Sequence, residues 1–357
     1  MASTEPHLDR PDRDLDRAAE CGLGRAEADR AYRYRAHPAD ANKINRADAN
    51  QIDLERSQPG LGTDPRTSWR HDRASWRHEP TVDCRRPSTS RVYDYFLGGS
   101  NHFPVDRELA ARLSATLPDI DAIMRENRAF MRRAVRFLLD AGIQQFLDLG
   151  SGIPTDDGHA GNVHELARRR RDGGARVVYV DLDPTAVARS RVVLAGNQDA
   201  TIIQADLRDP DTVFDHPDTR RLLDLARPTA VLILGVLHDI PDADDPPRII
   251  GQIRERLAPG SFLALSQGTV NSRADTGGAG TNAYNDGYAR GAPRLSLRGR
   301  AQTLALLDGF ELVAPGLVFL EDWRPYLDDD ADRLTSPARA AGATPGFRAA
   351  LAGIGMR

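Results

Sequence analysis

The sequence predicts an α/β protein whose core is a largely parallel sheet. From residue 85 onward, short apolar runs alternate with stretches in which apolar residues recur at helical spacing. This alternation is typical of repeated strand–helix units. Several of the apolar runs end in acidic or glycine-containing turns, and an open parallel sheet places its ligands beside such turns.

The first 84 residues have a different character and are interpreted as a polar extension. Acidic and basic residues are mixed throughout it, aliphatic residues are sparse and phenylalanine does not occur. Such a segment cannot bury enough apolar surface to offset the ~1–2 kcal/mol per residue that ordering the backbone costs. We therefore predict that residues 1–84 are disordered and that residues 85–357 form the folded domain. Arginine and aromatic side chains interleave over residues 68–80, as in some single-strand binders, but a solvated tail explains this composition more simply.

The elements of the folded domain can be predicted in chain order. Residues 119–142 carry apolar side chains at helical spacing, and the pattern ends at Gly142, a residue type common at helix C-termini. Residues 310–323 predict two short strands separated by Pro315 and Gly316 and arranged as a terminal hairpin. Further strands are predicted at residues 145–149, 176–181, 200–205, 230–237 and 261–267, and helices at 162–171, from Pro184, at 247–257 and at 298–307.

The overall composition excludes several classes of protein. The formal net charge is −4, so no whole-chain field points to nucleic acid or to an anionic lipid surface. No stretch approaches the ~18 consecutive apolar residues of a membrane span, and the start lacks the apolar core of a signal peptide. We therefore expect a soluble cytoplasmic protein without a membrane or nucleic-acid partner, and we predict no metal site.

Acidic residues stand at the carboxyl ends of three successive predicted strands. Asp148 begins the turn DLGSG, in which Gly150 and Gly152 let the backbone turn tightly and approach a ligand closely. Asp181 ends the second strand, where two carboxylate oxygens match the two vicinal hydroxyls of a ribose. Asp206 follows the third strand, where it can accept from the exocyclic amine of adenine. One such acid would be an ordinary loop carboxylate, but three in succession predict a site for an adenosine-containing ligand.

Two adenosine ligands compete for this pattern. A dinucleotide requires a pyrophosphate site, written as G-x-G-x-x-G before a helix. Here the third glycine is absent, Pro154 withdraws an amide donor and no basic residue lies in the turn. S-adenosylmethionine has no phosphate and carries a cationic sulfonium, which suits the acidic Asp148. The residues favour S-adenosylmethionine as the cofactor, with a dinucleotide as the alternative.

Blocks of sequence between Arg86 and Tyr326 carry a resemblance to a known family. They are RPSTSRVYDYFLGGSNHFPVDRELA, NRAFMRRAVRFLLDAGIQQFLDLGSGIPT, NVHELA, VVYVDLDP, ADLRDP, VLHDIPDADDP, LAPGSFLALSQGT and PGLVFLEDWRP. Together they resemble the bacterial S-adenosylmethionine-dependent methyltransferases that were formerly catalogued as a domain of unknown function. The sequence departs from that family at Leu182, which is often asparagine, and at Gln267, which is often histidine.

The resemblance implies a Rossmann-like class I methyltransferase fold. Such a fold has a seven-stranded, mostly parallel sheet with one antiparallel strand and with helices on both faces. The resemblance also implies S-adenosylmethionine as the cofactor. It implies no particular acceptor, because the substrates of the family are generally unassigned.

The stretch RVYDYFLGGSNHF, residues 91–103, is predicted to form a lid at the mouth of the site. It is rich in aromatic residues and ends in glycines, and the ring of Tyr93 could face the sulfonium through a cation–π contact. On the next helix, Arg125 and Asn127 are candidates for binding the carboxylate of the methionine tail. Leu207 follows Asp206 in the block ADLRDP and completes the predicted cofactor-binding residues.

His238, in GVLHDIP, is the candidate catalytic residue. It follows the fourth strand, whose end faces the methyl group in this class of fold, and an ordinary imidazole pKa of ~6.5 suits a general base near neutral pH. A histidine that caps a helix or packs in the core is the alternative. Asp239 and Asp242 are interpreted as caps of the turn before the next helix.

The sequence therefore predicts an S-adenosylmethionine-dependent methyltransferase that acts on an unidentified acceptor, which we expect to be a small molecule. Two alternatives remain at this point. One is a dinucleotide-dependent oxidoreductase on a related sheet. The other is a regulator that binds S-adenosylmethionine without catalysis, because binding and turnover share the residues at the strand ends. The sequence gives no indication of oligomeric state.

Overall fold

The structure is a computed structural model, and it describes residues 83–117, 119–154, 161–169, 174–269, 295–327 and 348–357. The chain divides into two units between Thr81 and Val82. The predicted polar extension, residues 1–84, lies outside the described residues except for its last two positions. Residues 271–294 are outside them as well.

A mixed sheet of eight strands forms the centre of the described part of the chain. The strands are β1 (Gln145–Leu149), β2 (Arg176–Asp181), β3 (Ala200–Gln204), β4 (Ala230–Leu234), β5 (Phe262–Gly268), β6 (Glu311–Leu312), β7 (Val318–Phe319) and β8 (Ala350–Met356). Their order is β3-β2-β1-β4-β5-β8-β6, and β7 also pairs with β8. Strands β1 to β5 are parallel, whereas β8 runs antiparallel to its neighbours. The strand order reverses between β1 and β4, and this switch point is where such sheets bind ligands.

The antiparallel edge of the sheet differs from the prediction. β6 and β7 share one edge position, because Leu312 pairs with Gly355 whereas Val318 pairs with Ala352. The predicted hairpin of β6 and β7 is therefore wrong, since both strands pair with β8 and not with each other. Pro315 lies between them and has no N–H to donate to a strand ladder. The sheet thus has the seven strand positions that the family resemblance implies, with β6 and β7 together filling the last one, and β8 is its one antiparallel strand. β8 itself has no counterpart among the elements predicted from the sequence.

Helices cover both faces of the sheet. They are α1 (Thr89–Phe96), α2 (Pro104–Thr116), α3 (Ile120–Asp140), α4 (Val163–Arg168), α5 (Pro184–Val193), α6 (Pro210–Asp215), α7 (Pro217–Leu222), α8 (Pro246–Arg256) and α9 (Arg300–Ala305). Successive strand residues point to opposite faces. Phe146 accordingly packs in the layer that contains α3, α4 and α5, and Leu147 packs in the layer that contains α6, α7 and α8. Among the described residues, no helix combines the length and apolarity that crossing a bilayer requires.

The first two helices and the start of α3 form a small cap with its own apolar cluster. A buried ion pair, Arg91 Nε to Asp106 Oδ2 at 2.8 Å, joins α1 to α2. The same carboxylate accepts from the backbone N–H groups of Ser88 and Phe103 at 3.0 and 2.7 Å. The Ser88 hydroxyl donates to Asp183, just beyond β2. These contacts fix the cap beside the carboxyl end of β2.

Candidate functional site

The predicted glycine turn follows β1 and curls over the end of β2. Gly150 and Gly152 have φ values of 71° and 68°, in the left-handed region that favours glycine. The N–H groups of Gly150 and Ser151 both donate to the carbonyl of Val180, at 2.8 and 3.0 Å. The turn is thereby closed onto the neighbouring strand, and its outer side is left for a ligand.

Asp181 connects the two turns that surround the carboxyl ends of β1 and β2. Its Oδ2 accepts from Gly152 N at 2.7 Å, and its Oδ1 accepts from Asp183 N at 2.8 Å. Each carboxylate oxygen has a second lone pair, so the residue can accept two further hydrogen bonds while it holds both turns. Leu182, the next residue, is 58% exposed and offers an apolar surface beside this carboxylate.

Three carboxyl groups share this end of the sheet. Burial raises the pKa of Asp148 to about 7, and the nearby Asp181 adds to the effect while Arg128 opposes it. Burial raises the pKa of Asp181 to about 6. Burial and then the charge of Asp181 raise the pKa of Asp239 to about 7. A cationic ligand would relieve this concentration of negative charge, which fits the sulfonium and ammonium groups of S-adenosylmethionine and not a pyrophosphate.

Asp239 was interpreted from the sequence only as a cap of the following turn. It lies in a short 3₁₀ turn, Leu237–Asp239, and its N–H donates to the carbonyl of Val236. Its carboxyl is close enough to Asp181 for the two charges to interact. No local pattern could have identified this, because the two residues come from different strand ends.

A small cavity beside the glycine turn is lined by Arg128 as well as by Asp148, Gly152 and Tyr179. The guanidinium of Arg128 donates to Asn162 Oδ1 at 3.1 Å, which ties α3 to the start of α4. Arg128 is thus the basic side chain that the structure places beside Asp148. The sequence contained no signal for it, because an arginine on a helix is most often solvated.

The predicted Arg125 lies one turn earlier on α3. Its Nη2 is 3.6 Å from Asp121 Oδ2, and about two-fifths of its side chain is exposed. Whether it contacts the methionine tail therefore stays a prediction.

Tyr93 and Asn127 belong to one network of hydrogen bonds between the cap and the sheet. The Tyr93 hydroxyl donates to the carbonyl of Met124 at 3.0 Å and accepts from Asn127 Nδ2 at 3.2 Å. Asn127 Oδ1 accepts from the Ser266 hydroxyl at 2.6 Å, at the end of β5. A Cβ on Gly235, just beyond β4, would lie 2.9 Å from Asn127 Nδ2. The aromatic segment is thereby anchored across the ends of β4 and β5, and its role as a lid stays a prediction.

Asp206 and Leu207 lie in the turn after β3. Arg208 donates to both carboxylate oxygens of Asp206, from Nε and Nη2, at 2.6–3.0 Å. Partial burial raises the pKa of Asp206, but the hydrogen bonds from Arg208 outweigh this effect and hold the pKa below its usual range. Leu207 is 9% exposed and packs in the sheet core, so only its backbone is available to a ligand.

Comparisons with known proteins agree with this geometry. The family model described as S-adenosyl methyltransferase matches residues 75–349. The chain belongs to the S-adenosyl methyltransferase family. Its cofactor is therefore S-adenosylmethionine, and the dinucleotide alternative is excluded.

Two crystal structures of similar proteins match this chain over about three quarters of its length. A candidate methyltransferase from Thermobifida fusca YX is 37% identical, with a TM-score of 0.65 over 76% of this chain and 95% of that chain. A DUF574 family protein from Streptomyces avermitilis MA-4680 is 34% identical, with a TM-score of 0.67 over 76% of this chain and 98% of that chain. No curated protein matches the sequence.

His238 occupies the end of β4 in this S-adenosyl methyltransferase. β4 ends at Leu234, three residues earlier than predicted, because Gly235 turns the backbone with a φ of 71°. His238 then lies in the 3₁₀ turn, where its Nδ1 is buried without a hydrogen-bond partner among the described residues. Burial, and then the charge of Arg298, lower the pKa of His238 to about 4. The imidazole is thus neutral at physiological pH, and the unperturbed pKa assumed from the sequence does not apply.

We expect Gly152→Ala to weaken S-adenosylmethionine binding by at least about tenfold, because the added methyl enters the space above the turn. No atom of the described residues lies within 4 Å of that Cβ position, so a loss would report on the ligand. Gly142→Ala is the matched control, since Gly142 has a φ of 86° and equally open surroundings at the far end of α3. Both variants should incur similar left-handed strain, about 1–2 kcal/mol.

Calorimetric titration with S-adenosylmethionine and thermal melting would separate the two effects. Equal affinities in both glycine variants would show that the cofactor does not approach Gly152. Gly150 is unsuitable for this test, because a Cβ there would lie 2.5 Å from Val236 Cγ2 and would disturb the protein itself.

Proposed function

We propose that this family member transfers the methyl group of S-adenosylmethionine to a small molecule that is held beyond the end of β4. The observation that carries the proposal is the group of carboxyls around the glycine turn, the buried Asp148 and Asp181 and the half-buried Asp239, each with a raised pKa. Such a group favours a cationic ligand. It is also costly to maintain in a fold that binds no cation.

Different residues would hold different parts of the cofactor. Asp181 would accept from the ribose hydroxyls through the lone pairs that its donors Gly152 and Asp183 leave free. Asp148 would bind the ammonium of the methionine tail, and the neighbouring Arg128 its carboxylate. Leu182 would provide an apolar contact for the adenine, and the turn at Asp206 and Leu207 would provide its polar contacts.

When bound, S-adenosylmethionine would supply an activated methyl group: the acceptor atom would bond to the methyl carbon as the carbon–sulfur bond breaks and S-adenosylhomocysteine leaves. The protein contributes mainly position, since both partners must be held in one line. His238 would take the proton of an oxygen or nitrogen acceptor, although its pKa of about 4 makes it a weaker base than an unperturbed imidazole. Because its Nδ1 is enclosed near Gly268, we assign this role to Nε2.

A regulator that binds the cofactor without turnover would share every cofactor-binding residue. His238 supports catalysis, because this half-buried imidazole after β4 is not among the residues assigned to the cofactor and can serve an acceptor. Turnover of tritiated S-adenosylmethionine on phenolic, carboxylic and amine acceptors would test the proposal. Binding without turnover on any acceptor, including extracts of the source cells, would support the regulator.

The preference for S-adenosylmethionine over S-adenosylhomocysteine should increase with pH. Only the former carries the sulfonium charge, and the raised pKa values mean that the carboxyls ionise between about pH 6 and 7. In the protein without ligand, these carboxyls make their full contribution to the free energy of unfolding below pH ~4, where they are protonated in both the folded and the unfolded state. This contribution is lost as the pH rises through 6 to 7, because the buried groups then become charged. The ratio of the two dissociation constants should therefore change by about fivefold to tenfold between pH 5 and pH 8.

Calorimetry with both ligands at several pH values would measure this change, with NAD as a ligand that should not bind. Asp239→Asn should reduce the pH dependence. Asp215→Asn is the control, because Arg256 and then Arg220 lower the pKa of Asp215 to about 2, so this carboxyl stays ionised throughout the range from pH 5 to pH 8. A ratio that is independent of pH would contradict the electrostatic basis of the proposed cofactor site.

A further inference from the structure

Arg298 lies beneath the turn that carries His238. Its side chain is only 3% exposed, and its guanidinium donates to the carbonyls of Leu237 and Ile240 at 2.7 and 2.8 Å. It also donates to Gln267 Oε1 at 3.3 Å, in β5. One side chain thus ties both ends of the His238 turn to the neighbouring strand.

The backbone around Arg298 reinforces this connection. Ser296 N donates to the carbonyl of His238 at 2.6 Å, and Arg298 N donates to the carbonyl of Gly268 at 3.2 Å. Residues 295–298 therefore run across the ends of β4 and β5, and they enclose the His238 ring on the side of Gly268.

The charge of Arg298 is compensated differently from that of two other buried arginines. Arg91 and Arg133 each pair with a carboxylate that is at most 5% exposed. The acidic partner of Arg298 is Asp242, at 2.7 Å, and its side chain is 70% exposed. Water screens that carboxylate, so it cancels less of the guanidinium charge inside the protein.

We propose that Arg298 is a positioning residue for methyl transfer, which fixes the turn after β4 and thereby holds His238 toward the acceptor. This inference rests on the proposed function of His238. A cation beneath the imidazole also disfavours a second positive charge on the ring.

Within the described part of the chain, the ionisable groups around His238 are Arg298, Asp242 and Asp239. Arg298 is the charged group that lowers the pKa of His238, after burial. Asp242 acts by compensating Arg298. Asp239 lies in the same turn, and burial followed by the charge of Asp181 raises its pKa to about 7, so it carries little charge where His238 titrates. Gln267, Gly268 and Leu297 add no charge.

The test is the titration of His238 by heteronuclear NMR of the histidine side chains, assigned with His238→Ala. We expect Arg298→Gln to raise the pKa of His238 by about one unit or more, because a like charge is removed. Arg298→Lys keeps the charge and should leave the pKa within about half a unit of the wild-type value. Asp242→Asn should leave it unchanged or lower it further. Arg300→Gln is the control, since Arg300 donates to the carbonyl of Leu317, away from His238.

An unchanged His238 titration in folded Arg298→Gln would overturn the proposal, as would equal shifts in the glutamine and lysine variants. If Arg298→Gln does not fold, a raised pKa of His238 in Asp242→Asn would overturn the proposal.

Calorimetry with S-adenosylmethionine separates this inference from the proposed function. We expect Arg298→Gln to weaken binding much less than Asp181→Ala does, because Asp239 is the one proposed cofactor residue in the turn that Arg298 holds. A wild-type protein that fails to bind would refute the proposed function and leave the His238 titration interpretable.

Discussion

Replacing Asp181 by alanine should lower the affinity for S-adenosylmethionine by about a hundredfold or more. Two charge-assisted hydrogen bonds to the ribose would be lost, each worth roughly 1.5–3 kcal/mol. The same carboxylate also holds the N–H groups of Gly152 and Asp183. The variant should therefore lose both a ligand contact and the fixed shape of the two turns. Calorimetric titration measures the affinity, and circular dichroism establishes whether the fold is retained.

Two further variants separate the roles of this carboxylate. Asp183→Ala removes the cap of α5, where Asp183 accepts from Thr185 N at 2.7 Å, and leaves Asp181 in place. It should lower thermal stability and leave affinity within about threefold of wild type. Asp181→Asn keeps the size of the side chain, but it turns an amide donor toward one backbone N–H. It should still lose at least about tenfold in affinity. If Asp181→Ala and Asp181→Asn both bind S-adenosylmethionine with normal affinity, other residues hold the ribose.

Replacing His238 by alanine should lower turnover by roughly 10²–10⁴, which is the usual contribution of a general base. The affinity for the cofactor should stay unchanged. The loss should shrink as the pH approaches the pKa of the acceptor, because the acceptor then ionises unaided. Burial and the charge of Arg298 lower the pKa of His238 to about 4. The wild-type rate should accordingly stay level down to about pH 5 and fall only as the pH approaches 4.

A pH–rate profile of wild type and variant on an acceptor identified with tritiated S-adenosylmethionine would measure this effect. His216→Ala is the control, because His216 caps α7 by accepting from Asp218 N and lies outside the site. A wild-type to variant ratio near one across pH 6 to 9 would remove His238 from the mechanism and leave positioning as the main source of catalysis. A loss of melting temperature with a constant ratio would assign His238 a packing role.

The strand ends show what local pattern can predict. The apolar runs that end at Leu149, Asp181 and Gln204 form β1, β2 and β3, each within one residue of the predicted end. Their carboxyl ends meet because parallel strands share one direction. The glycine turn and its acids therefore fall at one edge of the sheet, as predicted.

β8 shows where local pattern was insufficient. Its sequence, ALAGIGM, contains two glycines, which weaken a strand in isolation and hide the alternation of side chains. The glycines are needed because other elements pack closely against this strand. A Cβ on Gly355 would lie 2.6 Å from Phe310 Cβ, and one on Gly353 would lie 3.3 Å from Leu317 Cδ1.

The sequence by itself determined the family and the cofactor, and it predicted the edge of the sheet at which the cofactor binds, because these depend on short patterns of neighbouring residues. The tertiary structure decided the electrostatic state of the site. It placed Arg128 beside Asp148, Asp239 near Asp181, and Arg298 beneath His238. The pKa of a buried group depends on desolvation and on charges a few ångströms away. Those charges come from residues far apart in the chain, so only the folded arrangement could show that His238 is neutral and that three carboxyls favour a cation.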